Sequence, residues 1–426
     1  MGGRSGTTAD GRAGMTDTLP TVVIPFVPGA ASPVRIVQAA KDLAQIRFLV
    51  PRGTSGELLE VLRQLAPCAE AELDGDRFVV PAELRDLSLA AVVTFAEQLL
   101  APTAFLAEEL SLPNNAAAVR AGALRKSGQR KLLAAAGVER TKAAAVRDPA
   151  ALVAAVDYVG TPCVVKPDGG SGSTRTYLVS GPEDLEQLGR ELAAAVEAGP
   201  MVVEELLCGR TSGPWGDYVS VESVSAGGVH RVLGITGKLP LAPPFRERGH
   251  VFPATVDDDL AQACESLAVR ALTAIGLREG PAHLELKLTG TGPRIIEVNS
   301  RLGGYVDEVW AAAGVVSPVR TVLAAALGRP GALDPPQPSS VGWYWASHAP
   351  MEARRLLELD GLKEARRLED VRYVGRNRRP GESVDWRNGW ADHLALVFGS
   401  SSDHEAALAT IDRLEQLVTG TFEFGG

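Results

Sequence analysis

The amino-acid sequence predicts an α/β protein, with α+β elements, divided into two or three domains. Three observations carry that expectation. Short apolar runs such as TVVIP, IRFLV and RFVVP alternate with helix-period segments such as RIVQAAKDLAQ and ELLEVLRQLA. Glycine (45 residues) and proline (28) punctuate the chain throughout, as they do in loop-rich folds and not in coiled coils. The 426 residues, 45% of them hydrophobic, are enough for a large core and more than one ordinary domain requires.

In order along the chain, residues 1–18 are small and polar and lack the apolar centre of a secretion signal. They are expected to be a disordered leader, with Met15 an alternative start. Residues 19–112 are expected to form an open α/β domain. No GxGxxG follows its first strand, so a dinucleotide site is unsupported. Residues 113–137 read as helical and basic, ending at Gly137 as a C-cap. PCVVKPDGGSGSTRTYLVSG, DLEQLGRELAAAVEAG and PMVVEELLCG then give strand, loop, strand, helix and strand, a small module of their own. After the loop RTSGPWGD come strands DYVSVESVS and HRVLGITGK, then a loop over 239–254. A long amphipathic helix follows, with an Asp-rich first turn suited to the helix dipole. VDEVWAAAGVVSPVRTVLAAALG is helical with a break near Pro318, and residues 335–426 form a mixed segment closing on the helix HEAALATIDRLEQLV.

Bulk properties exclude several classes. A net charge of −9 argues against nucleic acid as a partner. Cys68, Cys163, Cys208 and Cys264 are scattered without zinc-type spacing and suit buried thiols in a reducing compartment. No apolar run is long enough to cross a bilayer. The expected location is the cytoplasm.

The stretch HLELKLTGTGPRIIEVNSR (283–301) reads as two strands and a turn. Alternation puts His283, Glu285 and Lys287 on one face, and Ile295, Glu297, Asn299 and Arg301 on one face of the second strand, with Ile296 and Val298 opposite. A five-residue loop, Thr289–Pro293, would pair Leu288 with Arg294 and set Glu285 across from Glu297. A two-residue turn at Gly290–Thr291 would put the two acids on opposite faces. Facing carboxylates repel unless a cation lies between them. Two carboxylates and an amide oxygen make an all-oxygen set suited to Mg²⁺, and Arg301 could hold an anion beside it. The alternative is a solvated face with Glu–Lys and Glu–Arg pairs.

CVVKPDGGSGSTRTYLV is a strand, Lys166, a Gly/Ser loop and another strand. Such a loop lets backbone N–H groups approach a phosphate, with a lysine as a point charge. It is not a Walker loop, having no GK[ST] and no following helix, and a glycine-rich hairpin turn would look similar. The strand leaving through Glu204, Glu205 and Leu206 could offer groups to an adenine edge; solvated acids at a strand end are the alternative.

Taken in order, the basic helix with Lys126, VVKP and its loop, VVEELL and its glycine, and HLEL…IIEVNSRLGG resemble the ATP-grasp superfamily. Within it the chain resembles carboxylate–amine ligases of the L-amino acid ligase (dipeptide synthetase) type. The resemblance runs from about residue 20 to 420 and is strongest at 163–173, 201–209 and 283–304. It implies an ATP-grasp fold with an N-terminal pre-ATP-grasp domain (19–112), an ATP-grasp domain (113–334) with a mobile lid at about 138–207, and a C-terminal α/β segment. By motif match Lys126 and Lys166 would contact ATP phosphates, Ser171 and Ser173 would cover them, Glu204 and Leu206 would form the adenine hinge, and Asp217 would bind ribose. The inserted RTSGPWG moves Asp217 further from the hinge glycine than the family places its acid. Arg125 stands where the family has an Asp before the lysine, and Lys131 is the neighbouring alternative to Lys126.

Glu285, Glu297 and Asn299 match the family's Mg²⁺ ligands, with Mn²⁺ as a substitute, and Arg301 its anion stabiliser. ERGHVFPA resembles a substrate loop carrying Glu247 and His250; Gly303 and Tyr305 would bound the same pocket. Lys166, Arg301 and His250 would be catalytic. The implied activity joins a carboxylate, as an acyl phosphate, to an amine, releasing ADP and phosphate. Its substrates would be small molecules, amino acids or a short peptide, and the family suggests a homodimer. The rivals are amino-acyl loading onto a carrier protein and a non-catalytic nucleotide-binding scaffold. Retention of both acids, Asn299, Arg301 and Lys166 argues against the second.

Overall fold

The structure, a computed structural model, describes residues 19–329 and 337–425. The expected leader and the expected boundary at 334/335 lie outside the described residues.

Near-continuous apolar strands are the signature of a sheet covered on both faces. Thr21–Pro25, Gln45–Pro51, Cys68–Ala71 and Leu89–Val92 form such a sheet, all parallel, with Thr21–Pro25 between Gln45–Pro51 and Leu89–Val92. Val22, Val23 and Ile24 are wholly buried in it. The flanking helices Pro33–Ala40 and Gly56–Leu65 start at Ser32 and Ser55, whose hydroxyls accept from the N–H three residues on, Arg35 and Leu58.

The helix Lys126–Ala135 precedes the next module and is followed by Gly137, left-handed at φ 67°, as expected of a C-cap. The following module is an antiparallel sheet ordered Ala143–Val146, Met201–Glu205, Cys163–Pro167, Tyr177–Val179. Helices Leu152–Val159 and Pro182–Ala198 cover it and close a separate apolar core.

The third sheet has eight antiparallel strands. It runs Gly292–Asn299, Gly280–Thr289, Tyr218–Ala226, Val229–Lys238, Gly249–Phe252, Val341–His348, His393–Ser401, Val371–Arg376. The C-terminal residues therefore extend the same sheet that carries the hairpin. Residues 239–254 were expected to be loop, but Gly249–Phe252 is a strand. Both its neighbours present free edges, so Lys238 pairs with His250 on one side and His250 with Tyr344 on the other.

The hairpin departs from expectation in a way that preserves its consequence. Its turn is the two-residue one, Thr289 pairing with Gly292 and Leu288 with Pro293, not with Arg294. Regular pairing from there would split Glu285 and Glu297 between faces. A β-bulge at Ile296 supplies one extra residue, so Leu286 pairs with Ile295 while Glu285 pairs with Glu297 and His283 with Asn299. Ile295 consequently lies on the core face with Leu284, Leu286 and Val298, against helix Asp258–Ile275, and does not share a face with Glu297.

Candidate active site

One cavity of about 880 Å³ lies where the three sheets meet. Its wall takes Pro28–Ala30 and Phe95–Gln98 from the parallel sheet's loops, the glycine loop and Glu204–Leu207 from the small module, and the hairpin face from the large sheet. Of the residues singled out in the sequence, it brings together Lys126, Lys166, Ser171, Ser173, Glu204, Leu206, Glu247, His250, Glu285, Glu297, Asn299, Arg301 and Tyr305. Two are not in the wall. Asp217 is beside it, with Oδ1 2.6 Å from Lys287 Nζ, and Gly303 backs onto the His283 ring. A Cβ at Gly303 would stand 2.4 Å from His283 Nδ1, so its role is close packing behind that imidazole.

Lys126 is the first residue of its helix, which Asp168 caps from the glycine-loop side: Ser127 N–H donates at 2.7 Å and Ser127 Oγ at 2.9 Å. Lys126 Nζ thereby reaches Gly170 O at 2.9 Å and Glu297 Oε1 at 2.9 Å. Burial lowers its proton affinity, but the Glu297 charge and hydrogen bond outweigh that and raise it above the ordinary lysine value. Lys131, the alternative, is exposed.

Glu204 is 3% exposed and held by two cations, with Lys166 Nζ at 2.8 Å and Arg130 Nε at 2.8 Å. Burial pushes its carboxyl up, while the charges and hydrogen bonds of Lys166 and Arg130 prevail and bring it down to about 2. Its carboxylate is thus committed within the protein; in the backbone beyond it, Glu205 N–H donates to Lys142 O at 3.0 Å and Leu206 N–H to Pro162 O at 3.3 Å. Sequence reasoning missed Arg130, which also donates to Ile295 O and Ile296 O at 2.7 Å each. The bulge turns those two consecutive carbonyls toward it. Its spacing of four from Lys126 on a short helix was the available signal.

On the hairpin, Glu297 meets Lys126, Glu285 lies 3.5 Å from His283 Nε2, and Asn299 Oδ1 accepts from Arg301 Nη2 at 3.3 Å. The cavity therefore receives two carboxylates and an amide oxygen, the hard all-oxygen chemistry Mg²⁺ takes with phosphate oxygens. Among the described residues no three His, Cys, Asp or Glu side chains converge on a metal position, so a cation held here would need the Asn299 amide as its third donor. Arg301 Nε donates to Glu97 Oε2 at 2.7 Å, linking the parallel sheet's loop to the hairpin's end.

Beyond Glu285 the wall continues into a buried polar cluster. His283 Nδ1 is 2.8 Å from Glu222 Oε1, and its ring stacks 6.4 Å from His250. His250 Nε2 lies 2.7 Å from Lys238 Nζ, which also donates to Glu247 Oε1 at 2.6 Å; His250 and Glu247 are in direct contact too. His250 Nε2 thus faces an acceptor-only carboxylate as well as the Lys238 ammonium. Burial, then the Lys238 charge, lower the His250 proton affinity against the pull of Glu247. Glu247, raised by burial, is brought well below the usual range by His250 and Lys238. His250 Nδ1 and the Tyr218 hydroxyl are buried without a partner, and both residues line the cavity. Tyr305, left-handed at φ 60°, places its ring 5.3 Å from those of Tyr344 and Trp390.

Residues 159–308 match the family model described as ATP-grasp domain. The fold is that of the L-amino acid ligase from Bacillus licheniformis, with a TM-score of 0.73 at 21% identity over 96% of this chain and all of that one. In sequence, the chain is 28% identical to alanine–anticapsin ligase of Bacillus subtilis over 50% of this chain and 49% of that protein. It is 32% identical to D-alanine–D-alanine ligase of Mycobacterium bovis over 53% of this chain and 64% of that protein. The chain spans about half to two thirds of the length of the curated relatives it matches.

Proposed function

We infer, from this chain's membership of the ATP-grasp superfamily, that it is an ATP-dependent carboxylate–amine ligase acting on amino acids or a short peptide. One observation carries the reading. A single cavity holds phosphate-type elements (Lys166, the glycine loop and Lys126, which meets Glu297), Arg301 beside Asn299, and a polar pair, Glu247 and His250, reached from Glu285 through His283.

A carboxylate is a poor electrophile, so its oxygen attacks the γ-phosphate and ADP leaves, giving an acyl phosphate; an amine then displaces phosphate to form the amide. Mg²⁺, held by Glu285, Glu297 and Asn299, would supply charge neutralisation at the phosphates. Lys126 and Lys166 add fixed positive charge there, and Ser171 and Ser173 belong to the loop that covers the phosphates. Arg301 is set to bind the acyl oxygen as charge builds on it. His250, with Nε2 beside the Glu247 carboxylate and Nδ1 unpartnered, is suited to orient the incoming amine or to accept its proton. Glu247, held ionised, is suited to orient an ammonium group. Asp217 remains the ribose acid of this reading only if it exchanges Lys287 for the sugar. A division at about 112 and 334 with a lid at 138–207, a homodimer and a cytoplasmic location belong to the same reading. Among the described residues no helix is long and apolar enough to cross a membrane.

The test is phosphate release from ATP and Mg²⁺ against amino acids singly and in pairs, with product masses read directly. Turnover that needs two amino acids and yields their sum less water is expected. ATP turnover with no amino-acid dependence, or none at all, would exclude the ligase.

A further inference from the structure

The glycine loop does not end in solvent: it rests on a turn from the far end of the chain. Residues Trp386–Asp392 lead directly into strand His393–Ser401 of the eight-stranded sheet, so the turn is fixed to that sheet. Trp390 N–H donates to Gly172 O at 2.8 Å and Arg175 N–H to Arg387 O at 2.8 Å. Gly389 has φ 60° and ψ −131°, a conformation close to glycine-only, and a Cβ there would stand 2.1 Å from Gly172 O. Arg387 Nη2 reaches Glu191 Oε2 at 2.8 Å on helix Pro182–Ala198. Trp386 is 8% exposed within the small module's own apolar core, edge-on to Tyr177 at 5.6 Å. On its other side the same turn sets the Trp390 ring against Tyr305, and both line the cavity.

We propose that the Trp386–Asp392 turn is the seat on which the phosphate-covering loop closes, with Gly389 and Trp390 as positioning residues that join closure to the substrate end of the cavity. Two backbone hydrogen bonds, a glycine contact that admits no side chain, an ion pair and a buried indole all cross the same boundary. None of them touches the reacting groups. Closure on this seat keeps water from an acyl phosphate, so loosening it diverts turnover into hydrolysis.

The inference rests on the ligase reading for its activity readout alone; a second readout is independent of it. Gly389→Ala is expected to raise phosphate released per amide formed by about threefold or more, since water then reaches the intermediate. Bound with Mg²⁺ and a non-hydrolysable ATP analogue, the parent protein should resist trypsin at the exposed Arg175, and Gly389→Ala should not. In an Asp385→Asn background, which removes the other acid on Arg387, Arg387→Glu and Glu191→Arg should each raise the ratio and their combination restore it. If Gly389→Ala does not fold, the charge exchange decides. Unchanged coupling and protection in Gly389→Ala, or single charge variants no worse than the double, would overturn the seat. Should no amino-acid pair yield amide, the ligase reading falls while Arg175 protection still reports on the seat.

Discussion

At the scale of single residues, Arg130 and Glu204 show how a buried charge is kept at this site. The guanidinium has its donors taken by one carboxylate and two carbonyls, and the carboxylate shares itself with Lys166. Removing one member of such a group leaves the others charged or unpaired in low dielectric, at a cost of about 3–5 kcal/mol. Arg130→Met is therefore expected to lower the thermal midpoint sharply in a denaturation scan, far more than Lys131→Met on the exposed face. A midpoint within a degree or two of the parent would remove the clamp's structural role. The same pair sets an acid limb. Glu204 sits at about 2 in the folded protein against an ordinary 4.5, so its contribution is present above pH 4.5 and is lost as pH falls toward 2. Glu204→Gln should thus be less stable than the parent at pH 7, with the gap narrowing steadily as pH drops through that window. A gap constant from pH 7 to pH 3 would show that Glu204 is not held ionised by its neighbours.

At the scale of elements, the hairpin shows what the sequence discloses and what it hides. Its alternation marked Glu297 and Asn299 as sharing a face because residue identity and period are local. Setting Glu285 across from Glu297 rested on a five-residue loop, which the structure replaces with a two-residue turn and a bulge. The turn length and the bulge depend on which partner residues find core contacts, which no single strand states. Leu284, Leu286 and Leu288 need the helix Asp258–Ile275, and so does Ile295. Satisfying all four with a two-residue turn forces one extra residue at Ile296 before the acids can face each other. His250 was misread as a loop residue for the same reason: its strand is short and exists because two edges flank it. Arg130 was missed because its partners, Glu204 and the Ile295 and Ile296 carbonyls, are distant in sequence, and Lys238 because the strand beside it was read as loop. Since the leucine face fixes the register, Leu286→Ala should cost about 2–5 kcal/mol and affect the opposite face too. Denaturant unfolding would show the loss, and a weaker Mg²⁺ dependence of ATP turnover would show the register loosening. Lost stability with Mg²⁺ dependence intact would mean the bulge, not the leucine row, sets the acids.

At the scale of the whole molecule, the cavity is walled by the parallel sheet and the eight-stranded sheet, which share one apolar core, and by the small module, whose core is its own apart from Trp386 and Met351. Glu97–Arg301 ties the parallel sheet's loop to the hairpin, Lys126–Gly170 and Arg130–Glu204 tie the small module to it, and the glycine loop rests on the C-terminal turn. The small module's ties to the rest are mostly polar while its core is largely its own, so a ligand spanning the cavity contributes much of what holds that module in place. A ligand bound only by the folded form stabilises it by about 2.7 kcal/mol at a hundred times its dissociation constant. ATP with Mg²⁺ should therefore raise the thermal midpoint by several degrees and merge any separate unfolding of the small module into one transition. ATP with EDTA should do much less, because Glu285 and Glu297 then face the triphosphate with only the fixed charges of Lys126 and Lys166 to offset the repulsion. Glu297→Ala should lose the Mg²⁺-dependent part of the shift together with amine-dependent ADP release, since it removes one of three oxygen donors. A full Mg²⁺-dependent shift in that variant would sink the metal assignment, and a shift identical with and without Mg²⁺ in the parent would sink the all-oxygen site itself.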